Sequence, residues 1–232
     1  MTSASDLASF AALIADRTRA AMCLALLDGR AWTAGELAAH TGVAPSTATG
    51  HLHRLVTGGL LVELRQGRHR YVRLAGPSVA QLIEDMAGGI AHRPAPARGL
   101  RAVTASEALR RGRTCYDHLA GRLGVAVTDA MTRRGLLDQA GGFALTPDGR
   151  IWLTAGLGVE AERLRPGRRA LVRGCLDWTE RRWHLAGVAG AELCRTFLAN
   201  GWVARVGTGR AVRITPAGTT ALDALLDLTD VD

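Results

Sequence analysis

Two stretches of the chain carry cysteine, aspartate and histidine in the same order. Arg113-Thr114-Cys115-Tyr116-Asp117-His118-Leu119-Ala120-Gly121 reappears as Arg173-Gly174-Cys175-Leu176-Asp177 and, after six extra residues, His184-Leu185-Ala186-Gly187. Thiolate sulfur and imidazole nitrogen are the donors that zinc and similar transition ions accept in sets of four. If the two copies face one another, Cys115, His118, Cys175 and His184 supply two of each. The Cys-x-x-His spacing suits such a site, whereas the nine-residue step from Cys175 to His184 is not diagnostic. Other readings stand beside this one. Duplication copies residues whether or not they bind anything, Asp117 and Asp177 can cap helices, and the histidines can pack as twins. The thiols can also sense oxidants, and Trp152, Trp178, Trp183 and Trp202 can floor a pocket for an organic ligand. Catalysis is not the expectation, because no oxyanion device, phosphate loop or acid pair accompanies Cys115 and His118. A thiol-dependent enzyme stays as an alternative.

A second constellation suits nucleic acid. Ser46, Thr47, Thr49, His51, His53 and Arg54 fall on one face of a segment whose other face carries Leu52, Leu55 and Val56 at helical spacing. Short hydroxyls reach phosphates or base edges without holding a helix off the groove, and arginine pairs with phosphate or with guanine. Downstream, Gln66, Arg68, His69 and Arg70 occupy the polar tip between two β-rich runs, Leu60 to Leu64 and Tyr71 to Leu74. Between Ser46 and Arg73 five arginines and three histidines face one acid, Glu63. The strip should seek the phosphates of double-stranded DNA.

The elements needed to position these residues are also legible. Thr33 and Glu36 have capping-box spacing and open a short helix that Thr41-Gly42-Val43 ends. Pro45 opens the next, since its missing N–H has no helical partner at the first position. Gly58-Gly59 closes that helix, and the hairpin around Gly67 makes a wing. Leu7 to Ile14, Arg19 to Leu27 and Pro77 to Met86 are amphipathic or apolar helices. The first and last of these are expected to pair with a second copy across a two-fold axis, setting two recognition helices about 34 Å apart along DNA. Gly50, inside the recognition helix, costs about 1 kcal/mol relative to alanine and marks close approach to DNA or to a packing neighbour.

From about Leu7 to Met86 the chain resembles an ArsR-type bacterial repressor. Ala15-Asp16-Arg17-Thr18-Arg19 is similar to that family's opening helix junction, Ser46 to Leu52 to its recognition helix, and Gly67-Arg68-His69-Arg70-Tyr71 to its wing. The resemblance implies a dimeric, DNA-binding repressor responding to an inducer, either a small molecule or a metal. It does not carry over the metal site of the best known members, which sits in the helix before the turn. Glu36-Leu37-Ala38-Ala39-His40 holds no thiol there, and the helix after the wing offers only Gln81, Glu84 and Asp85 before His92. A further resemblance, to bacterial regulators with Cys-Tyr-Asp-His-Leu-Ala-Gly and Cys-Leu-Asp-Trp motifs in an extended tail, covers nearly the whole chain and names no inducer.

Composition bounds the rest. The 232 residues, 47% of them hydrophobic, are enough for two packed units, and the formal charge of +8 rests on 29 basic residues that are all arginine. No window approaches eighteen apolar residues, the start lacks a secretory pattern, and four scattered cysteines suit a reducing compartment, so a cytoplasmic protein away from membranes is expected. The expected architecture is mainly α with small β-hairpins. It comprises a winged helix-turn-helix over 1–92, a Pro/Ala-rich linker over 93–102 with its boundary near 95, and a pair of degenerate winged-helix-like repeats over 103–232. In each repeat the order helix, helix, strand, turn, strand, then Thr-Pro-x-Gly at 146–149 and 215–218, is anticipated. The functional expectation is a sequence-specific regulator, a homodimer whose C-terminal half takes up a signal. The alternative is a ligand-independent structural DNA-binding protein.

Overall fold

Ser3 and Asp6 cap one another's backbone and start helix α1 (Ala4–Ile14). Asp16 accepts the Arg19 amide at 2.9 Å and starts α2 (Arg17–Leu26). The Arg19 guanidinium then turns back onto the carbonyls of Leu13 and Ala12, which α1 leaves unpaired at its end. This double use of one acid and one arginine explains the Asp16-Arg17-Thr18-Arg19 junction. The computed structural model describes residues 3–89, 100–165, 167, 169–207 and 209–229.

After β1 (Trp32–Thr33), the expected capping box forms between Thr33 and Glu36 and opens α3 (Ala34–Thr41), which Gly42 ends at φ +70°. The helix α4 (Pro45–Thr57) follows with proline in its first turn. Strands β2 (Leu61–Gln66) and β3 (His69–Leu74) form the wing, and β1 adds to β3, giving the order β1-β3-β2. Pairing runs out to Gln66 opposite His69, so the six-residue tip expected from the sequence is a two-residue turn at Gly67-Arg68. Gly67 at φ +58° supplies the backbone twist that such a tight hairpin demands. Met22, Leu26, Leu37, Leu52, Leu55 and Leu74 fill the core between helices and sheet. Helix α5 (Pro77–Gly89) leaves the wing.

The chain separates into two compact units, Met1–Ile83 and Glu84–Asp232, so the division falls within α5. Of the expected linker, residues 93–99, like the boundary near 95 and His92, lie outside the described residues, while 100–102 already belong to α6 (Leu100–Arg111).

The second unit contains the anticipated repeat, with a different beginning. Its first copy runs β4 (Arg113–Cys115), β5 (His118–Ala120), α7 (Gly121–Arg133), β6 (Leu137–Asp138), β7 (Ala144–Leu145) and α8 (Pro147–Ile151). Its second copy runs β8 (Arg173–Leu176), β9 (Trp183–Ala186), α9 (Gly187–Ala199), β10 (Val203–Arg205), β11 (Val212–Ile214) and α10 (Pro216–Leu226). Each copy therefore opens with a β-hairpin where a helix was expected. Among the described residues one helix, not two, lies between the two hairpins of each copy, and neither copy shows a helix-turn-helix. The opening hairpins escape sequence reading because their left-handed turn residues are Tyr116 (φ 57°) and Arg181 (φ 53°), not glycine or asparagine.

The repeated Thr-Pro-x-Gly has a physical reason. Thr146 and Thr215 accept the amides of Gly149 and Gly218, and a Cβ on either glycine would lie 1.9 Å from a carbonyl oxygen, of Leu136 or Trp202, in the preceding hairpin. Only glycine lets helix and hairpin meet. Leu123, Met131, Leu153, Leu193, Phe197 and Leu222 centre the core of this unit.

Candidate functional site

The register of the two opening hairpins places Cys115 directly opposite His118 and Cys175 directly opposite His184. Cross-strand partners share a face of the ribbon, so each hairpin presents one thiol and one imidazole side by side. The unequal spacing in sequence leaves this register untouched, because the second copy takes up its six extra residues beyond the pair, on the turn side. Helix α7 packs on β9 and α9 on β5, so each copy's helix backs the other copy's hairpin. Gly124 and Gly190 let each helix lie close against its own copy's hairpin, with the other copy's histidine just beyond. A Cβ on either would meet the carbonyl of Leu119 at 2.4 Å or of Leu185 at 2.5 Å, and the neighbours beyond are His184 and His118.

The result is one buried cluster. The two imidazoles stack with centroids 5.1 Å apart, and one donor atom from each of Cys115, His118, Cys175 and His184 lies within 4.8 Å of all the others. All four residues are buried, both thiols are free, and His118 Nε2 and both ring nitrogens of His184 have no hydrogen-bond partner. A buried polar nitrogen without a partner costs free energy, and two stacked rings in that condition point to an occupant. Bonds of about 2.0–2.3 Å in tetrahedral array put ligand atoms about 3.3–3.8 Å apart, so capture of an ion draws the widest pair in by about 1 Å.

Both aspartates of the repeat lie behind the rings, and Asp177 also accepts the first amide of α7, from the other copy. Asp117 lies 3.3 Å from His118 Nδ1 and receives two bonds from Arg169 at 2.6 and 2.9 Å. Asp177 lies 3.6 Å from His184 Nδ1 and accepts from Arg113 (2.9 Å), the Gly121 amide (2.7 Å) and Thr179. Arg113 and Asp177 are both fully buried, and Trp178 stacks 4.6 Å from the Arg113 guanidinium. Carboxylates behind imidazoles fix ring orientation at metal sites. Burial pushes the Asp177 carboxyl up, but Arg113 and the bonds around it hold it well below the usual carboxylate range.

The electrostatics favour one thiolate. The hydrogen bond from Cys115, aided by His118 and His184, outweighs burial and pulls Cys175 down. Burial and the neighbouring thiol push Cys115 up. Burial lowers His118, yet the bond to Asp117 and the negative charges of Cys175 and Glu84 beside it prevail and raise it to about 10, whereas burial leaves His184 lowered. Cys23 and Cys194 are inert by comparison, with burial pushing them up to about 11 and about 12.

Glu84 was set aside in reading the sequence and proves to be a neighbour of this cluster. Its carboxylate is buried beside Cys175, with Oε2 4.0 Å from Sγ and Oε1 without a partner. Burial pushes it up to about 7. Its position on a helix of ordinary amphipathic pattern gave no signal, since only the fold reveals that β8 approaches there. The tryptophans do not gather around one pocket: Trp152 and Trp202 pack on the core, Trp178 covers Arg113, and Trp183 is half exposed against Phe143.

In the first unit Ser46, Thr47, Thr49, His53 and Arg54 of α4 are exposed, as are Gln66, Arg68, His69 and Arg70 of the wing. Thr49 spends its hydroxyl on the Pro45 carbonyl, and Arg70 pairs with Glu63 across the wing. His51 sits apart from the others, partly buried with Nδ1 3.7 Å from Asp16. A Cβ at Gly50 would meet nothing within 4 Å, so no packing neighbour accounts for that glycine. Arg54→Ala is expected to weaken binding to a fragment from upstream of the protein's own gene about tenfold at fixed salt, a loss of about 1.4 kcal/mol, without moving the unfolding midpoint. Unchanged affinity removes Arg54 from the interface.

Residues 14–65 match the model of a helix-turn-helix domain family. The chain is 37% identical over 224 residues to an HTH-type transcriptional regulator, YdfF, of Bacillus subtilis, covering 96% of this chain and 98% of that protein. It is 37% identical over 82 residues, 35% of this chain and 69% of the relative, to the HTH-type transcriptional regulator CmtR of Mycobacterium tuberculosis. A homodimeric winged helix-turn-helix domain of Mycobacterium bovis, described as a possible ArsR-family regulator, aligns at 30% identity with a TM-score of 0.32, over 34% of this chain and 72% of that one. With a helix-turn-helix, a wing, and a relative matched over nearly its whole length, this chain belongs to the HTH-type transcriptional regulators.

Proposed function

We propose that this DNA-binding regulator is a homodimeric repressor whose second unit binds a transition metal ion, zinc or one of similar preference, through Cys115, His118, Cys175 and His184. The observation that carries the reading is the convergence of two thiols and two imidazoles, with ring nitrogens left unpaired in a buried setting. Two thiolates neutralise a divalent ion, which suits an interior where net charge is costly. Dimerisation is supported by α1, which buries none of its residues within the chain and leaves Leu7 65% exposed, and by Leu82 of α5, 40% exposed. DNA contact is assigned to the exposed faces of α4 and the wing.

Metal analysis of protein purified under reducing conditions tests the reading. One ion per chain is expected, with X-ray absorption showing mixed sulfur and nitrogen donors. Protein that stays free of metal when offered zinc, and instead closes a Cys115 to Cys175 disulfide on mild oxidation, would establish a thiol sensor in its place.

A further inference from the structure

Helix α5 brings a fifth donor to the cluster. Its last turns are fixed to the hairpin β8–β9: Asp85 pairs with Arg173, and a Cβ at Gly88 would stand 3.1 Å from the Leu176 carbonyl, so the helix backbone rests against β8. That contact puts Glu84, itself part of the second unit, beside both thiols. The residue is 6% exposed, Oε1 is unpartnered, and Cys115, Cys175 and His118 are its electrostatic neighbours. An ionised carboxylate loses its water in such a setting, and with Oε1 unpartnered a cation bound there offsets the loss.

We propose that the Glu84 carboxylate is a fifth protein ligand of the ion held by Cys115, His118, Cys175 and His184, and that through it the ion fixes the helix that carries on from the DNA-binding wing. The inference rests on the four-residue site proposed above. Charge balance is consistent with it. Two thiolates and one carboxylate around a divalent ion leave one negative charge, and Arg210, whose field favours the ionised Glu84, supplies a positive one. A donor set of two sulfurs, two nitrogens and a carboxylate oxygen suits an ion that accepts five ligands, such as cobalt(II), iron(II) or a five-coordinate zinc.

The consequence is regulatory. Cys115, His118, Cys175 and His184 all come from one pair of hairpins, so an ion held by them alone makes no bond to α5 and reaches it only through the packing of β8. With Glu84 bound, capture requires α5 in one placement, and β3 of the wing joins α5 through only Ala75 and Gly76. A ligand shifts an equilibrium only by its different affinity for the two states, and Glu84 supplies that difference.

Cobalt(II) is the probe. Added to the reduced, full-length protein, it is expected to give a thiolate-to-cobalt charge-transfer band together with the weak ligand-field bands of five coordination. In Glu84→Gln the charge-transfer band persists while the ligand-field bands intensify to those of a tetrahedral ion. In parallel, cobalt should change the affinity of the wild type for DNA from upstream of its own gene by about 5–150-fold, and that of Glu84→Gln less than about threefold. Identical ligand-field spectra in the two proteins overturn the fifth ligand. An equal response of DNA affinity in both overturns the coupling. Absence of the charge-transfer band in both overturns the four-residue site itself, a failure distinct from the other two.

Discussion

Cys175→Ser is expected to lose the stoichiometric ion and every stabilisation the ion provides. Cys175 is the thiol that its surroundings most favour as thiolate, since Cys115 donates to it and both histidines lie beside it. Serine keeps the shape but its hydroxyl does not ionise near neutrality, so the divalent ion is left with one anion from the four. Zinc affinity in structural sites amounts to about 10–16 kcal/mol and depends strongly on thiolate donors. For the wild type, zinc at about 1,000 times its dissociation constant adds about 4 kcal/mol to the stability of the unit that binds it. A chelator should therefore lower the thermal midpoint of the wild type by many degrees and leave Cys175→Ser unmoved. Equal midpoints with and without chelator in the wild type, at confirmed loading, contradict an ion at this position.

Asp177→Asn is expected to destabilise the second unit by about 3–5 kcal/mol, the cost of leaving a buried charge without its partner. Arg113 is fully buried, its counter-charge is Asp177, and Trp178 covers the face of the guanidinium, so water cannot replace the carboxylate. The same carboxylate also receives the Gly121 amide and Thr179, whose bonds weaken with the charge. Four of the five tryptophans belong to this unit, so their fluorescence in urea reports on it: the midpoint falls, with the slope conserved. Adding Arg113→Met to Asp177→Asn should recover part of the loss, because no unpaired cation then remains. The pH dependence has a definite sign. Asp177 is held below its unfolded value, so its contribution is present above about pH 4 and disappears as pH falls toward the folded value. A loss under about 1 kcal/mol would mean that Arg113 finds solvent or another anion.

The first unit is legible because its signals are local. The box at Thr33 and Glu36, the proline at 45 and the glycine at 67 each act within four residues, and the structure places all three where local chemistry dictates. The fine placement of charge was less so. Between Arg65 and Arg70, read from the sequence as the polar tip of a hairpin, a two-residue turn lets strand pairing continue, and His51 leaves the exposed face because Asp16, distant in sequence, draws it inward. In the second unit, repetition at the level of motifs singled out the two cysteines and two histidines that the fold gathers, because duplication preserves pairs that face one another. The hairpins that hold them were missed, since Tyr116 and Arg181 occupy backbone conformations usually left to glycine. Capping, one of the uses open to Asp117 and Asp177 in the sequence, is local, whereas Arg169 and Arg113 reach them across more than fifty residues and Asp177 takes the first amide of a helix in the other copy. Glu84 had no sequence signal, for its role depends on which strand meets α5.

The central claim is that an ion in the second unit governs DNA binding by the first. Fluorescence anisotropy of a labelled DNA fragment from upstream of the protein's own gene, titrated with full-length protein stripped of metal and with the same protein carrying one zinc per chain, measures this at a single salt concentration. The account predicts dissociation constants that differ at least fivefold between the two forms, a coupling of about 1 kcal/mol or more. Equal constants for protein shown to be fully stripped and fully loaded would contradict it.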